Sequence, residues 1–473
     1  MLFQTPAFAL FFLTVATIYW SLAYAPRTQN WLLAVTSYAF YATFDPRFVL
    51  ILFGASWFTY LIGSTLAQGR LGRAQMRLGV VVNLGALGVF KYYGFFRENA
   101  DRIAAGLGLH LPVPVIEWLL PIGLSFYVFQ NIAYLVDLNR GCGVRAESLL
   151  DFVVFTAFFP QLILGPICRS HELLPQVQSG ARRKLRRLDE AVALIVSGLI
   201  KKAVLAEILS ARLVNDAFSA PENFSSLELL LAAYAYSAQI YVDFSGYTDI
   251  ARGCGMLFGF ELPENFRHPL AATNVGDFWR RWHMSFSRWL RDYIYFPLGG
   301  SRGSKPRTYL NLLITFLLGG LWHGADWRFV LWGAIHGAAL VMYKASLDAR
   351  RALGIDTSAR PAVWKLVVGW FLTFHLVAGA RIIFRSSDLE SAALFFHQML
   401  KFSVQGNGIE ILVLLALSVA IAINFVGDSI HRSFVRVHQS LNVWTRPLAW
   451  SLLALFVIGL KPTGISPYIY SAF

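Results

Sequence analysis

The chain of 473 residues is 56% hydrophobic and only 14% charged, with a mean hydropathy of +0.53. Soluble domains run at about 45–50% apolar and about 25% charged residues, so a soluble enzyme of this length is excluded and lipid is the main solvent. The 41 basic and 27 acidic residues give a net charge of +14. The basic residues fall in short segments between apolar runs, which is positive-inside patterning and argues against nucleic-acid binding. Cys142, Cys168 and Cys254 form no CxxC pair, so no metal or redox set is expected and all three read as small buried hydrophobes.

Apolar runs suited to membrane helices lie at 7–24, 31–44, 48–66, 78–96, 114–137, 150–167, 188–209, 226–242, 309–322, 327–345, 363–384, 408–425 and 447–460. They predict an all-α, polytopic membrane protein with roughly 11–13 helical segments, read as one domain over 1–473 without an internal repeat. The first run follows MLFQTP, which carries no Lys or Arg, so it reads as a retained helix and not a signal peptide. Basic clusters at Arg70–Arg77, Arg182–Arg187, Arg302–Arg307, Lys344–Arg351 and Arg432–Arg446 mark cytoplasmic loops. Counting helices from these loops puts both termini outside. The count fails to close around 114–137, where Pro114 and Pro121 predict a broken or re-entrant element. Lys201 and Lys202 cannot both face lipid, so 188–209 is expected to bend or to lie near the interface.

Three stretches carry possible chemistry. In the first, DFWRRWHMSFSRWLRDYIYFPLGG at 277–300, Arg280, Arg281, Arg291, Asp292 and His283 are interleaved with Trp279, Trp282 and Trp289. On one helix Trp282 and Trp289 would share a face, and Arg288 and Asp292 would be spaced for an ion pair. Such a helix is too charged to span lipid and fits either the border of a polar cavity or a grip on anionic headgroups. In the second, LLGGLWHGADWRFVLWGAIHG at 317–337, His323 ends an apolar run beside Trp322, with Gly319, Gly320 and Gly324 allowing close approach. A histidine at such depth is either a proton acceptor or a packed residue bound to a carbonyl. His336 reads as packing, and Asn311 and Asp326 are residue types able to orient or polarise a histidine, which their spacing does not by itself establish. In the third, Asp243 and Asp249 flank Ser245-Gly246-Tyr247 without the GxSxG context of a nucleophile, so polar packing is the reading there.

At these residues the sequence resembles the membrane-bound O-acyltransferases, in their bacterial alginate O-acetylase-like branch. The resemblance is carried by FWRRWHMSFSRWLRDYIYFPLGG at 278–300, GGLWHGADWRFVLWGAIHG at 319–337 and DFSGYTDIARG at 243–253. ILGPICRSHELLPQ at 163–176, GLSFYVFQNIAYLVDLNRG at 123–141, GLIKKAV at 198–204 and the terminal PYIYSAF agree with it. It implies helices around a central tunnel, with His323 catalytic and His283 supporting. Arg280, Arg281, Trp282, Arg291, Asp292, Tyr293, Asn311 and Trp322 are the expected substrate- or tunnel-lining residues, with no metal. The glycine-rich continuation Pro297-Leu298-Gly299-Gly300 resembles the polysaccharide-acetylating members.

The implied reaction takes an acetyl group from a cytoplasmic thioester, acetyl-CoA or another donor, for O-acetylation of alginate, cellulose or peptidoglycan outside the bacterial inner membrane. His323 would act as general base or as transient acyl carrier. No bound cofactor is expected. An extracytoplasmic SGNH-hydrolase-like acetyltransferase is the implied protein partner, with the polysaccharide acceptor and membrane lipid beside it. D-alanyl transfer, lipid or protein acylation and a non-enzymatic polysaccharide or solute transporter are the competing readings. A cavity wide enough for a long chain would argue against acetyl.

Overall fold

A computed structural model of the protein describes residues 1–67, 72–109, 114, 119–357, 361–404, 406, 408–442, 445–446 and 449. Among them the regular structure is helical, with no strand. Five described helices are long and apolar enough to cross a bilayer: Pro46–Leu66, Arg73–Gly106, Trp327–Ala352, Val363–Arg385 and Ile411–Ser440. The chain divides into two compact units, one of Met1–Ile195 with Tyr247–Pro263, the other of Val196–Gly246 with the described part of Glu264–Phe473.

The first unit holds α1 (Pro6–Ser21), α2 (Pro26–Ala42), α3 (Pro46–Ala67) and α4 (Arg73–Leu87), which runs through a π turn at Gly88–Tyr92 into α5 (Tyr93–Gly106). Pro6 and Pro26 each open their helix, where a missing N–H costs nothing. Among the described residues of the expected broken element at 114–137, the helix begins at Leu124: α6 (Leu124–Asn139) follows Pro121 and a left-handed Gly123, and most of it is buried. The run at 150–167 is not one helix. It becomes the short α7 (Leu149–Ala157) and then a buried irregular segment over 158–169, because Pro160, Gly165 and Pro166 end the ladder. Next come α8 (Ser170–Gln178) and α9 (Leu188–Leu199). Arg183, read above as loop charge, is buried. Its guanidinium donates to the Tyr19 hydroxyl at 3.1 Å, the Val177 carbonyl at 3.2 Å and Asn30 Oδ1 at 2.5 Å. Cys168 and Cys254 are buried as expected, but Cys142 is exposed in the turn after α6.

In the second unit the Lys201-Lys202 anomaly resolves into a π segment, Ile200–Ala206, that swings Lys202 into a buried ion pair with Asp243. The short α10 (Glu207–Leu209) and α11 (Asn215–Ser219) lead to α12 (Ser226–Leu257), a single helix that carries the whole DFSGYTD motif. Gly246 is part of that packing, because a Cβ there would lie 2.7 Å from the Gly198 carbonyl oxygen. The 277–300 stretch is not one interfacial helix. It splits into α13 (Val275–Arg281) and α14 (Met284–Leu290), hinged at His283, whose φ of 41° is left-handed. Trp282 and Trp289 therefore do not share one helix face.

The rest of this unit is α15 (Lys305–His323), α16 (Trp327–Ala352), α17 (Val363–Arg385), α18 (Leu389–Met399) and α19 (Ile411–Ser440). The run at 447–460 and the PYIYSAF segment fall outside the described residues apart from position 449. Helices α15 and α16 form an antiparallel hairpin around a backbone-to-backbone crossing. A Cβ on Gly320 would lie 2.2 Å from the Phe329 carbonyl oxygen and 3.0 Å from the Gly333 Cα, and one on Gly333 would lie 2.3 Å from the Phe316 carbonyl oxygen. Tyr309 ties the far end of the hairpin to Asp348 at 3.1 Å.

Gly320→Ala is expected to destabilise the detergent-solubilised protein by about 1–3 kcal/mol, the usual cost of overpacking. Gly54→Ala, at a position with open space around it, serves as control. Equal melting temperatures for the two variants would contradict the crossing.

Candidate active site

The crossing fixes what faces what at the end of the hairpin. His323 is the last residue of α15, and a tight turn follows in which the Asp326 carboxylate accepts the Arg328 amide hydrogen at 2.8 Å and caps α16. Helix α16 then runs back, presenting Phe329, Trp332 and His336 on one face by their three- and four-residue spacing. The same spacing on α17 aligns Val377, Arg381 and Phe384. These faces, with Ile240 of α12 and with Phe278 and Trp282 at α13, enclose a cavity bordered by His323, His336 and Arg381. It has about 10 Å³ of room for the centre of a water-sized sphere, enough for one water or a group of that size.

The walls are aromatic and close. The His323 ring lies edge-on to Trp332 at 4.9 Å and to Phe384 at 5.1 Å, with Trp322 at 4.7 Å. His336 packs on Trp332 at 4.6 Å and on Trp279 at 5.2 Å. His323, His336 and Arg381 are 5%, 1% and 4% exposed, so their chemistry runs at low dielectric. The Arg381 guanidinium donates from Nη1 to the Ser237 carbonyl at 2.9 Å and lies 4.4 Å over the Trp282 ring.

His283 sits beside this cavity and not on its wall. Its Nδ1 is 3.1 Å from Asn265 Oδ1, an oxygen that also takes the Ser285 amide hydrogen at 3.1 Å. An oxygen that accepts the amide hydrogen can only accept from the ring as well, so Nδ1 carries the His283 proton. Burial pushes the His283 pKa down to about 3. Phe286 links the two histidines: it is 5.0 Å from His283, 4.2 Å from Trp322 and 6.0 Å from His323.

The other residues expected at the site are placed as follows. Trp282 lines the cavity, and Trp322 packs behind His323. Arg280 and Arg281 both reach Asp277, at 3.5 and 2.8 Å, with side chains 67% and 35% exposed. Arg291 Nε donates to Asp292 at 2.8 Å, and Tyr293 packs on Trp289 at 5.2 Å. None of these five borders the cavity. Asn311 lies about 18 Å along α15 from His323, and its Nδ2 donates to the Gly300 carbonyl at 3.0 Å. Asp326 is engaged in the cap. Sequence reasoning missed Arg381, although an arginine inside the apolar run 363–384 was a visible signal. It also set His336 aside as packing, and the structure puts that residue on the same cavity as His323.

A model of the membrane-bound O-acyltransferase family matches residues 141–376. A probable alginate O-acetylase of Pseudomonas aeruginosa is 40% identical over 85% of this chain and 75% of its own. The chain belongs to the membrane-bound O-acyltransferase family. It is a multi-pass membrane acyltransferase. A peptidoglycan O-acetyltransferase of Helicobacter pylori is 34% identical over 87% of this chain and 81% of its own. A teichoic acid D-alanyltransferase of Streptococcus thermophilus is more distant, 29% identical over 56% of this chain and 68% of its own. The matched segment of the acyltransferase holds His283, His323 and His336 and stops short of Arg381.

The buried, neutral His283 makes stability depend on pH. The unfolded chain takes up a proton below the ordinary histidine pKa of about 6.5, whereas the fold holds the ring neutral down to about 3. This contribution is therefore complete above pH 6.5 and is lost as pH falls through that window. The melting temperature should fall more steeply from pH 7 to pH 5 in the wild type than in His283→Gln. Parallel slopes would contradict a neutral, buried His283.

Proposed function

We propose that this acyltransferase moves an acetyl group from a cytoplasmic thioester donor across the bacterial inner membrane for O-acetylation of an exported or cell-wall polysaccharide, with His323 as the catalytic residue. The observation that carries the reading is the cavity at His323, which has room for a water-sized group between aromatic walls. A space of that size is nearer to a short acyl group than to a long lipid chain. The relatives named for alginate and peptidoglycan O-acetylation support a polysaccharide acceptor, and the lower identity and coverage of the D-alanyl-transferring relative place that chemistry second.

In this reading His323 accepts the proton of the attacking hydroxyl as that oxygen meets the acyl carbonyl. Trp322, Trp332 and Phe384 hold the ring and exclude water, which keeps the thioester from hydrolysis. His283 acts on this site indirectly, through Phe286 and Trp322. The donor is acetyl-CoA or another acyl thioester, drawn to the cytoplasmic side by Arg302, Lys305 and Arg307, which are exposed around the start of α15. The termini lie on the extracytoplasmic side, where an SGNH-hydrolase-like partner completes transfer to the polymer. Arg280, Arg281, Arg291, Asp292 and Tyr293 then act at the entrance and not at the reacting carbon.

Membranes containing the protein should transfer labelled acetyl from acetyl-CoA to a polysaccharide or to an extracytoplasmic acceptor protein. His323→Ala should lower this about 100- to 10,000-fold at unchanged protein level, and a long-chain acyl thioester should not serve as donor. Near-normal transfer by His323→Ala, or preference for the long chain, would overturn the reading.

A further inference from the structure

We propose that Arg381 is a catalytic residue: its guanidinium holds the negative charge that develops on the acyl carbonyl oxygen when the acyl group is attacked at His323. The inference rests on the acetyl-transfer reading and adds to it the group that stabilises the transition state.

Three observations converge on Arg381. It lies inside an apolar helix long enough to cross the membrane, 4% exposed, where burying a charge is costly. Such a charge is retained for a function or for a structural tie. Second, it borders the same cavity as His323, and the remaining wall is dominated by Phe278, Trp282, Trp332 and Phe384. Aromatic walls keep the dielectric low, so a fixed cation there acts strongly on a charge forming within the cavity. Third, the group is held before the reaction. Nη1 is bound to the Ser237 carbonyl at 2.9 Å and the guanidinium plane rests 4.4 Å over Trp282. A guanidinium carries five N–H donors in a fixed fork, so one group can hold a helix carbonyl and an oxyanion together.

The step balances as follows. The acceptor hydroxyl oxygen bonds to the carbonyl carbon while its proton passes to a ring nitrogen of His323. The C=O π pair moves onto oxygen, giving an oxyanion opposite the Arg381 N–H groups. The pair then returns to re-form the carbonyl, the carbon–sulfur bond breaks, and the departing thiolate takes the proton from His323. The products are the acetyl ester and a free thiol, and no other reactant is required.

A purely structural arginine would tie α17 to α12 through Ser237 and do nothing else, and Arg381→Gln keeps a donor for that carbonyl while removing the charge. Wild type, Arg381→Gln and Arg381→Lys are compared for labelled-acetyl transfer and for melting temperature in detergent, with kcat expressed per folded protein. Arg381→Gln should lower kcat about 100- to 1,000-fold with donor KM within about threefold, since only the transition state carries the charge. Arg381→Lys should lower kcat roughly tenfold, because a point charge replaces the fork, and it carries the test if the Gln variant is not recovered folded. Wild-type kcat in either variant, or a loss wholly accounted for by the unfolded fraction, overturns the assignment while transfer by the wild type upholds the functional reading. A wild type that transfers no acetyl overturns both.

Discussion

Two helix backbones meet with no side chain between them at Gly320 and Gly333, and the geometry of the cavity at His323 follows from that approach. With α15 and α16 held this close, the histidine at the end of one helix lies against the tryptophan of the other, and Trp332 and His336 are carried to the same wall by helical spacing. Helix α17 then closes the space with Val377, Arg381 and Phe384. A larger residue at either glycine would separate the hairpin and open the cavity to water before it changed any functional group. The glycines of the GGLWHG segment therefore shape the cavity as much as the histidine that borders it.

The cavity is defined by what surrounds its charges. Three ionisable side chains share an aromatic enclosure large enough for one water-sized group. In water such groups would be screened and mobile; here they are held by Trp332, Trp282 and the Ser237 carbonyl, and their fields act at short range. The same constraint explains the rest of the arginine-rich stretch. Arg280 and Arg291 are exposed and Arg281 is half-buried, and the three are matched by Asp277 and Asp292, so this part of the stretch carries its charge in ion pairs of its own.

The membrane character, the helical class and the acyltransferase family were legible in composition and motifs, and the break at 114–137 and the bend at Lys201-Lys202 in local violations of helix and lipid rules. What stayed hidden has a common physical origin. Sequence spacing describes one helix, and the site is made where α12, α13, α15, α16 and α17 meet, so Ile240 and Arg381 join His323 from segments about 80 and 60 residues away with nothing in the intervening spacing to announce it. The hinge at His283 was hidden for another reason. Nothing in Trp282-His283-Met284 demands a positive φ; it is held where Asn265 binds the His283 ring and the Ser285 amide together, a tertiary contact that local spacing does not reveal. Continuing a helix across that point put Trp282 and Trp289 on one face, whereas the fold separates them at the hinge.

The central claim is that acyl transfer takes place inside the cavity of α15, α16 and α17. An electron cryomicroscopy structure of the protein with a non-transferable acetyl thioester analogue tests it directly. The account predicts the acetyl carbonyl inside the aromatic enclosure, within hydrogen-bonding distance of His323 and with its oxygen towards Arg381. An analogue seated along Arg280–Asp292, with the cavity between His323 and His336 unfilled, would contradict it.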